Sequence, residues 1–387
     1  MRDAVIVEAI RTPIGKRNGG LSGVHPVDLS AVVLRALAAR TGLDPSVIDD
    51  VVWGCVSQIG EQSGNIGRYS VLAAGWPETV PGTTVDRQCG SSQQAVHFAA
   101  AAVISGQCDI VVAGGVESMS RVPMGSPRRA GPGEAYGPLV LNRYEGVQFN
   151  QGKSAELIAH RWRLSRAQLD EHALESHAKA AQAVDDGHFE TEIIPVTGVA
   201  GVESPVTADE GIRRGGTLDT MAKLKPAFSE EGVITAGNSS QISDGAAALL
   251  ITTSEIAGRH GWTPLARLHS FALAGVDPIT MLTGPIPATQ AVLKKAGLTI
   301  EDIGVFEVNE AFASVSLAWL IETGADPAAL NPNGGAIALG HPLGGSGARL
   351  MTTLAHHLRR AGIRYGLQTM CEGGGTANAT ILEALGR

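Results

Sequence analysis

The sequence predicts an α/β fold in which two regions of alternating strand and helix are copies of each other, separated by a stretch of different texture. Three observations carry this. Apolar strand-like runs take turns with Ala-rich helical runs, which indicates βαβ units and a largely parallel sheet. The same order of signals occurs early and late in the chain. Gly makes up 49 of 387 residues, about 13% against a usual ~7%, with no collagen period or low-complexity tract. Such an excess belongs to tight turns and close backbone approaches in a packed protein. The length suits two to three domains of ~150 residues.

Up to about residue 118, strand-like runs (Val5 to Glu8, Asp50 to Trp53, Ile110 to Ala113) alternate with helical ones (Leu29 to Arg40, Gln93 to Ile104). Between Arg121 and Asn150, nine of 30 residues are Gly or Pro, the composition of a lid or binding loop. One helical segment is expected over Ser154 to Gly187, then irregular chain to about Gln241, then renewed alternation to Arg387. Thr41-Gly42-Leu43, an acidic turn, Ile48 and the run Val51 to Trp53 match Ala296-Gly297-Leu298, an acidic turn, Ile303 and the run Val305 to Val308. Cys89-Gly90-Ser91-Ser92, a helix ending at Ser105-Gly106, a strand and Gly114-Gly115 match the loop Gly340 to Gly347, a helix ending at Ala361-Gly362, the strand Tyr365 to Met370 and Gly373 to Gly375. Two matches in one order point to a duplicated domain.

Composition excludes several functions. The apolar fraction of 44% excludes disorder, and the net charge of -8 disfavours nucleic acid and anionic membranes as partners. No apolar run approaches the ~18 residues of a membrane span. The chain enters a strand-like run at once, so no signal peptide is expected, and four cysteines make no disulfide framework. A cytoplasmic protein is the expectation. Gly152-Lys153-Ser154 resembles the end of a P-loop, but Val147 stands where that motif needs Gly. No Gly-x-Gly-x-x-Gly lies between a strand and a helix. Cys55, Cys89, Cys108 and Cys371 lack zinc spacing, so no metal is expected. The adjacent His356 and His357 read as a solvated helix face, and Cys55 and Cys108 as core thiols.

Four residues offer chemistry. Cys89 stands where an extended run becomes a helix, and unpaired N–H groups and the helix dipole there lower a thiol pKa from ~8.5. It reads equally as nucleophile or as buried structural thiol. His341 lies in a Gly-rich turn stiffened by Pro342, a place for a scaffold residue or for one that a ligand approaches. Cys371 ends an apolar strand and runs into three glycines, suiting a proton carrier beside an oxyanion site. Asn309 opens Asn309-Glu310-Ala311-Phe312-Ala313 and reads as N-cap or ligand contact.

With these blocks, with Gly237-Asn238-Ser239-Ser240-Gln241-Ile242-Ser243-Asp244-Gly245-Ala246 and with Asn333-Gly334-Gly335-Ala336-Ile337-Ala338-Leu339-Gly340-His341-Pro342, the chain resembles the thiolase family over its full length. The wording around Cys89 is most similar to degradative thiolases, including those of actinobacterial steroid breakdown. The resemblance implies two half-domains of like topology packed as an αβαβα sandwich. They would comprise residues 1–119 plus 242–263 and residues 264–387, with a loop domain over 120–241. It also implies a homodimer or homotetramer, CoA thioesters as substrates and no permanently bound cofactor.

The implied activity is cleavage of a 3-oxoacyl-CoA by CoA, or its reverse, through an acyl-Cys89 intermediate. His341 would take the thiol proton and Cys371 would act as acid and base. The tetrahedral oxygen would be held by the backbone N–H groups of Cys89 and Gly373, and the enolate oxygen by His341 and a water on Asn309. Family pattern places Arg213, Thr220, Ala236, Ser240, Ala311 and Phe312 along the CoA; Arg214, Lys223 and Lys225 add charge there or form ordinary solvated surface. Two departures stand out. Asp86 occupies a position that is Asn in many members. Asn150-Gln151-Gly152 replaces the His-Met-Gly of acetoacetyl-CoA enzymes, which favours a bulkier or more polar acyl group. An acetoacetyl-CoA-specific acetyltransferase is the alternative, followed by a non-catalytic CoA-thioester binder. A ketoacyl synthase would carry His in place of Cys371.

Overall fold

The computed structural model describes residues 2–385. The strands are β1 (Val5–Arg11), β2 (Gly15–Lys16), β3 (Asp50–Gly54), β4 (Thr83–Val85), β5 (Ile110–Ser118), β6 (Ser243–Thr252), β7 (Ala266–Gly275), β8 (Val305–Val308), β9 (Tyr365–Glu372) and β10 (Thr376–Ala384). They hydrogen-bond in the order β4-β3-β5-β6-β1-β7-β10-β9-β8, with β2 on β6. The duplication is visible in this order. β3 is parallel to β5, β5 antiparallel to β6 and β6 antiparallel to β1. β8, β9, β10 and β7 repeat that series of pairings.

The sheet is therefore mixed, and the expectation of a largely parallel one is corrected. Each copy closes with a strand that runs back against its neighbour. In the second copy the reversal between β9 and β10 is made by Gly374 and Gly375, both at φ 84°, a conformation open to glycine and strained for other residues. The Gly string read as a donor loop is also a hairpin turn.

Matching glycines end matching helices. Helix α1 (Pro26–Thr41) stops at Gly42 (φ 65°) and the helix Pro285–Ala296 at Gly297 (φ 68°). Helix α2 spans Ile66–Ala73. Helix α3 (Ser91–Ser105) stops at Gly106 (φ 81°) and the helix Leu343–Ala361 at Gly362 (φ 67°). Left-handed C-caps of this kind satisfy the last carbonyls of a helix.

Packing gives five layers. One outer core joins α1 and α2 to the β3–β5–β6 face around Trp53, and the other joins the helices Pro285–Ala296 and Ala313–Thr323 to β8–β10 around Trp319. Between the half-sheets lies a shared core of Val96, Ala99 and Val103 from α3 and Met351, Leu354 and Leu358 from Leu343–Ala361. Each fully buried leucine there contributes about 1.5–3 kcal/mol. Between β1 and β7 only Val5↔Arg267 and Ile6↔Ala266 are paired, so the central helices carry most of the contact between halves.

The segment expected as one helix over Ser154 to Gly187 is two, Gln151–Arg161 and Arg166–Asp185. Arg163 at φ 54° breaks it, and Ser165 with Gln168 forms a capping box that restarts it. Their apolar faces pack on the Ala313–Thr323 helix and Cys371. Short helices at Ser126–Ala130 and Pro138–Arg143 interrupt the Gly- and Pro-rich stretch.

Candidate active site

The start of α3 and the start of the Leu343–Ala361 helix meet backbone to backbone. A methyl group added at Gly347 would stand 2.4 Å from Gln93 N, and one at Gly54 would stand 2.4 Å from Ser92 N and 2.8 Å from Gly344 O. Ala348 N–H donates to Ser92 Oγ at 2.8 Å. Only glycine permits such approaches, and they bring the Cys89 and His341 turns together; Cys89 packs on Leu343.

The Cys89 turn is held from behind. Gln88 adopts φ 47° and its N–H donates to Asp86 Oδ1 at 2.7 Å. Ser91 Oγ accepts from Arg87 N–H at 2.9 Å and donates to Gln88 O at 2.6 Å. Asp86 thus spends its carboxylate on Gln88. The carboxylates that act on Cys89 are Glu372 and Glu117.

Cys89 is buried, and burial first, then Glu372, push its thiol up to about 12, against a pull from the backbone N–H groups of Cys89 and Gly373. The expectation of a thiol lowered by its helix N-terminus is corrected: desolvation of the charged form outweighs the dipole. Resting Cys89 is a thiol and needs a base. Cys371, from β9, is also buried, and its thiol is raised by burial and by the neighbouring Cys89. The two sulfurs, 282 positions apart in sequence, share one site.

His341 Nδ1 lies 2.6 Å from Ser346 Oγ, which itself donates to Pro342 O at 2.9 Å. A hydroxyl that donates to a carbonyl must accept from the ring, so Nδ1 carries the proton and Nε2 presents a lone pair. Asn309 Nδ2 faces that Nε2 at 3.5 Å. Burial pushes His341 down to about 3, so the ring is neutral. Gly340, at φ 109°, is required here: a side chain on it would strike Ser243 Oγ, which accepts His341 N–H at 3.1 Å.

Two positioning carboxylates escaped sequence reading. Glu117 accepts from Val56 N, Ser57 N, Gln62 Nε2 and Gly344 N within 3.0 Å. Glu310 accepts from Ser176 Oγ, Asn331 Nδ2 and Ile337 N, tying the Asn309 block to the chain before His341. The available signal for Glu117 was a lone charge inside the otherwise uncharged run Ile110–Ser118.

The remaining expected residues divide. Ser240 N–H donates to Ala311 O at 3.0 Å, and Phe312 meets Phe228 edge to face at 5.8 Å, so Ser240, Ala311 and Phe312 are together. Ala236 and Thr220 are exposed nearby, where Met221 packs on Gly237. Arg213 borders a separate cavity of about 260 Å³ with Leu174 and Ala178, and Arg214 beside it is paired with Asp185 at 2.7 Å. Lys223 and Lys225 are exposed. A methyl group at Gly373 would stand 2.9 Å from Gln88 Oε1 and 3.3 Å from Gln151 Nε2, which puts Gln151 at the site. Asn150 does not join it through its amide oxygen, which caps the Gln151–Arg161 helix by accepting from Lys153 N–H. His356 and His357 are half-buried, not a solvated face: His356 Nε2 bonds Ala9 O at 2.9 Å and His357 Nδ1 faces Asn333 Nδ2.

Known proteins are similar to this chain over its whole length. The thiolase N-terminal domain matches residues 4–255 and the thiolase C-terminal domain residues 262–384. A steroid 3-ketoacyl-CoA thiolase of Mycobacterium tuberculosis is 52% identical, covering 100% of this chain and 95% of that protein. A β-ketoadipyl-CoA thiolase of Escherichia coli is 46% identical over 99% of this chain and 100% of that protein. The crystal structure of the Bacillus anthracis acetyl-CoA acetyltransferase superposes with a TM-score of 0.90 at 38% identity, covering 100% of this chain and 99% of that one. With both domains matched in order along nearly the whole length, the chain belongs to the thiolase family.

Proposed function

We infer that the protein is a degradative thiolase that cleaves a 3-oxoacyl-CoA with CoA. The observation that carries this reading is the buried Cys89 thiol at the start of α3 with a second buried thiol, Cys371, beside it. His341 Nε2 takes the Cys89 proton, and the thiolate adds to the 3-keto carbon. The new oxyanion accepts from the N–H groups of Cys89 and Gly373; such a donor is worth ~3 kcal/mol of barrier. The C2–C3 bond then breaks, leaving acyl-Cys89 and the enolate of acetyl-CoA, whose oxygen faces His341 and Asn309. Cys371 gives its proton to the enolate carbon. The resulting Cys371 thiolate takes the proton of incoming CoA, whose sulfur attacks acyl-Cys89 and releases the acyl-CoA. The proton on His341 returns to Cys89.

CoA runs past Ser240, Ala311 and Phe312, with Thr220, Ala236 and Arg213 further out. Gln88 and Gln151 at Gly373 put carboxamides where the acyl group begins, which supports a polar or bulky acyl chain. The similarity to a steroid and a β-ketoadipyl-CoA thiolase points the same way. Residues 1–119 plus 242–263 and 264–387 act as the two halves, with 120–241 as the loop domain. A cytoplasmic homodimer or homotetramer completes the reading; among the described residues no helix is long and apolar enough to cross a membrane. Mass spectrometry after incubation with acetyl-CoA should show acetylation at Cys89, and binding without any adduct would leave a CoA-thioester binder. The structural likeness to an acetyl-CoA acetyltransferase favours the second reading, strict acetoacetyl-CoA specificity. A higher kcat/KM for acetoacetyl-CoA than for 3-oxoadipyl-CoA and cyclic 3-oxoacyl-CoA would select it.

A further inference from the structure

We propose that Glu372 is a positioning residue for the nucleophile, held beneath Cys89 as a neutral carboxylic acid whose ionisation blocks formation of the Cys89 thiolate. This role rests on the thiolase reading of Cys89. Glu372 ends β9 between Cys371 and Gly373, and successive strand residues point to opposite faces. Its side chain therefore leaves Cys371 and reaches the start of α3. There Oε1 lies 2.0 Å from the point a Gly90 Cβ would occupy, so the carboxyl rests on the backbone next to the nucleophile.

Thr376 Oγ donates to Glu372 Oε2 at 2.5 Å. Asn378, the diagonal neighbour of Glu372 across the β9–β10 pair, gives its Nδ2 to Gly90 O at 3.0 Å. Glu372 Oε1 and Asn378 Oδ1 are left buried with no partner among the described residues, as is Gln94 Oε1 in the first turn of α3. Oε1 is thus a buried carboxyl oxygen that accepts no hydrogen bond, and a proton on it makes it a donor.

The electrostatics agree. Burial pushes the Glu372 carboxyl up to about 8; Thr376 and the Arg87 guanidinium pull it down and Asp86 raises it. The groups around it are Asp86, Arg87 and Cys89 from the nucleophile turn and Cys371 from its own strand. Once charged, Glu372 is the strongest electrostatic opponent of a thiolate at Cys89, ahead of Glu117. On ionisation its proton leaves to solvent, and no redox step is involved.

The test is the pH profile of kcat/KM for thiolysis, together with the rate of Cys89 alkylation by iodoacetamide, in the intact enzyme. Wild type should lose about tenfold in kcat/KM from pH 7 to 9 as the neutral carboxyl disappears. Glu372→Gln, neutral at every pH, should lose that decline and alkylate faster than wild type at pH 9. Thr376→Val removes the donor that favours the charged form, so its decline should move to higher pH; it decides alone if Glu372→Gln does not fold. A wild type without the decline, or folded variants with unmoved profiles, would overturn the role. An acetyl-Cys89 adduct with unmoved profiles defeats Glu372 only, whereas absence of the adduct defeats the thiolase reading itself.

Discussion

The backbone N–H of Gly344 donates to the Glu117 carboxylate at 2.9 Å, tying the first turn of the Leu343–Ala361 helix to the loop after β3. The same carboxylate accepts from Val56 and Ser57. Glu117→Ala strands the N–H groups of Val56, Ser57 and Gly344, the last two buried, at ~1–3 kcal/mol each. We expect at least ~3 kcal/mol lost in urea unfolding and a lower kcat. Glu117→Gln, which retains one acceptor, should lose less of both.

The two thiols should fail differently. Cys89→Ser should give no acyl-enzyme by mass spectrometry. Cys371→Ser should still be acylated but turn over at least ~10²-fold more slowly, the usual scale of general acid–base catalysis. Normal turnover in Cys371→Ser would remove it from the mechanism.

Gly373→Ala places a methyl group 2.9 Å from Gln88 Oε1 and 3.3 Å from Gln151 Nε2. Both neighbours are flexible side-chain ends, so folding should survive with a melting temperature near wild type. The methyl intrudes where the acyl group begins, and kcat should fall ~10-fold or more, a loss of ~1.4 kcal/mol of transition-state binding. Gly340→Ala should behave oppositely and unfold early, because φ 109° and the contact with Ser243 leave no room.

Stability should pass through a maximum in mildly acidic solution. His97 and His341 are pushed down to about 3 by burial, so they protonate first in the unfolded chain. Their contribution is complete above ~6.5 and is lost as pH falls toward 3, by up to ~1.4 kcal/mol per unit for each ring. Glu307 and Glu372 are pushed up to about 8, again chiefly by burial. Their contribution is complete below ~4.3 and is lost as pH rises to 8. The two pairs offset each other where these windows overlap, from ~4.3 to ~6.5. Urea unfolding at pH 4, 5.5 and 8 should give the highest value in the middle, and His97→Gln should flatten the acid limb.

Sequence alone carried the duplication, because it is written in local punctuation: Gly42 and Gly297, or Gly106 and Gly362, cap equivalent helices wherever those helices pack. It also singled out Cys89, His341, Cys371 and Asn309, each at a turn with its own composition. Strand direction was not legible, since an apolar run reads alike whether its neighbour is parallel or antiparallel. The break at Arg163 was missed because a left-handed non-glycine residue leaves little trace in composition. The Cys89 thiol was misjudged because the helix start is visible in sequence, whereas its depth and the nearness of Glu372 are long-range facts. The sequence places Asn150 beside the acyl pocket, and the structure adds that its amide oxygen caps a helix.

The glycines at 54, 344 and 347 let main chain rest on main chain where the two central helices begin. Distances set in this way do not depend on which side chains lie beside Gly373. Gln88 and Gln151 meet there, and one of them comes from the separate segment between the copies. Descendants of such a scaffold are free to remodel what they accept while the spacing that breaks the carbon–carbon bond stays the same.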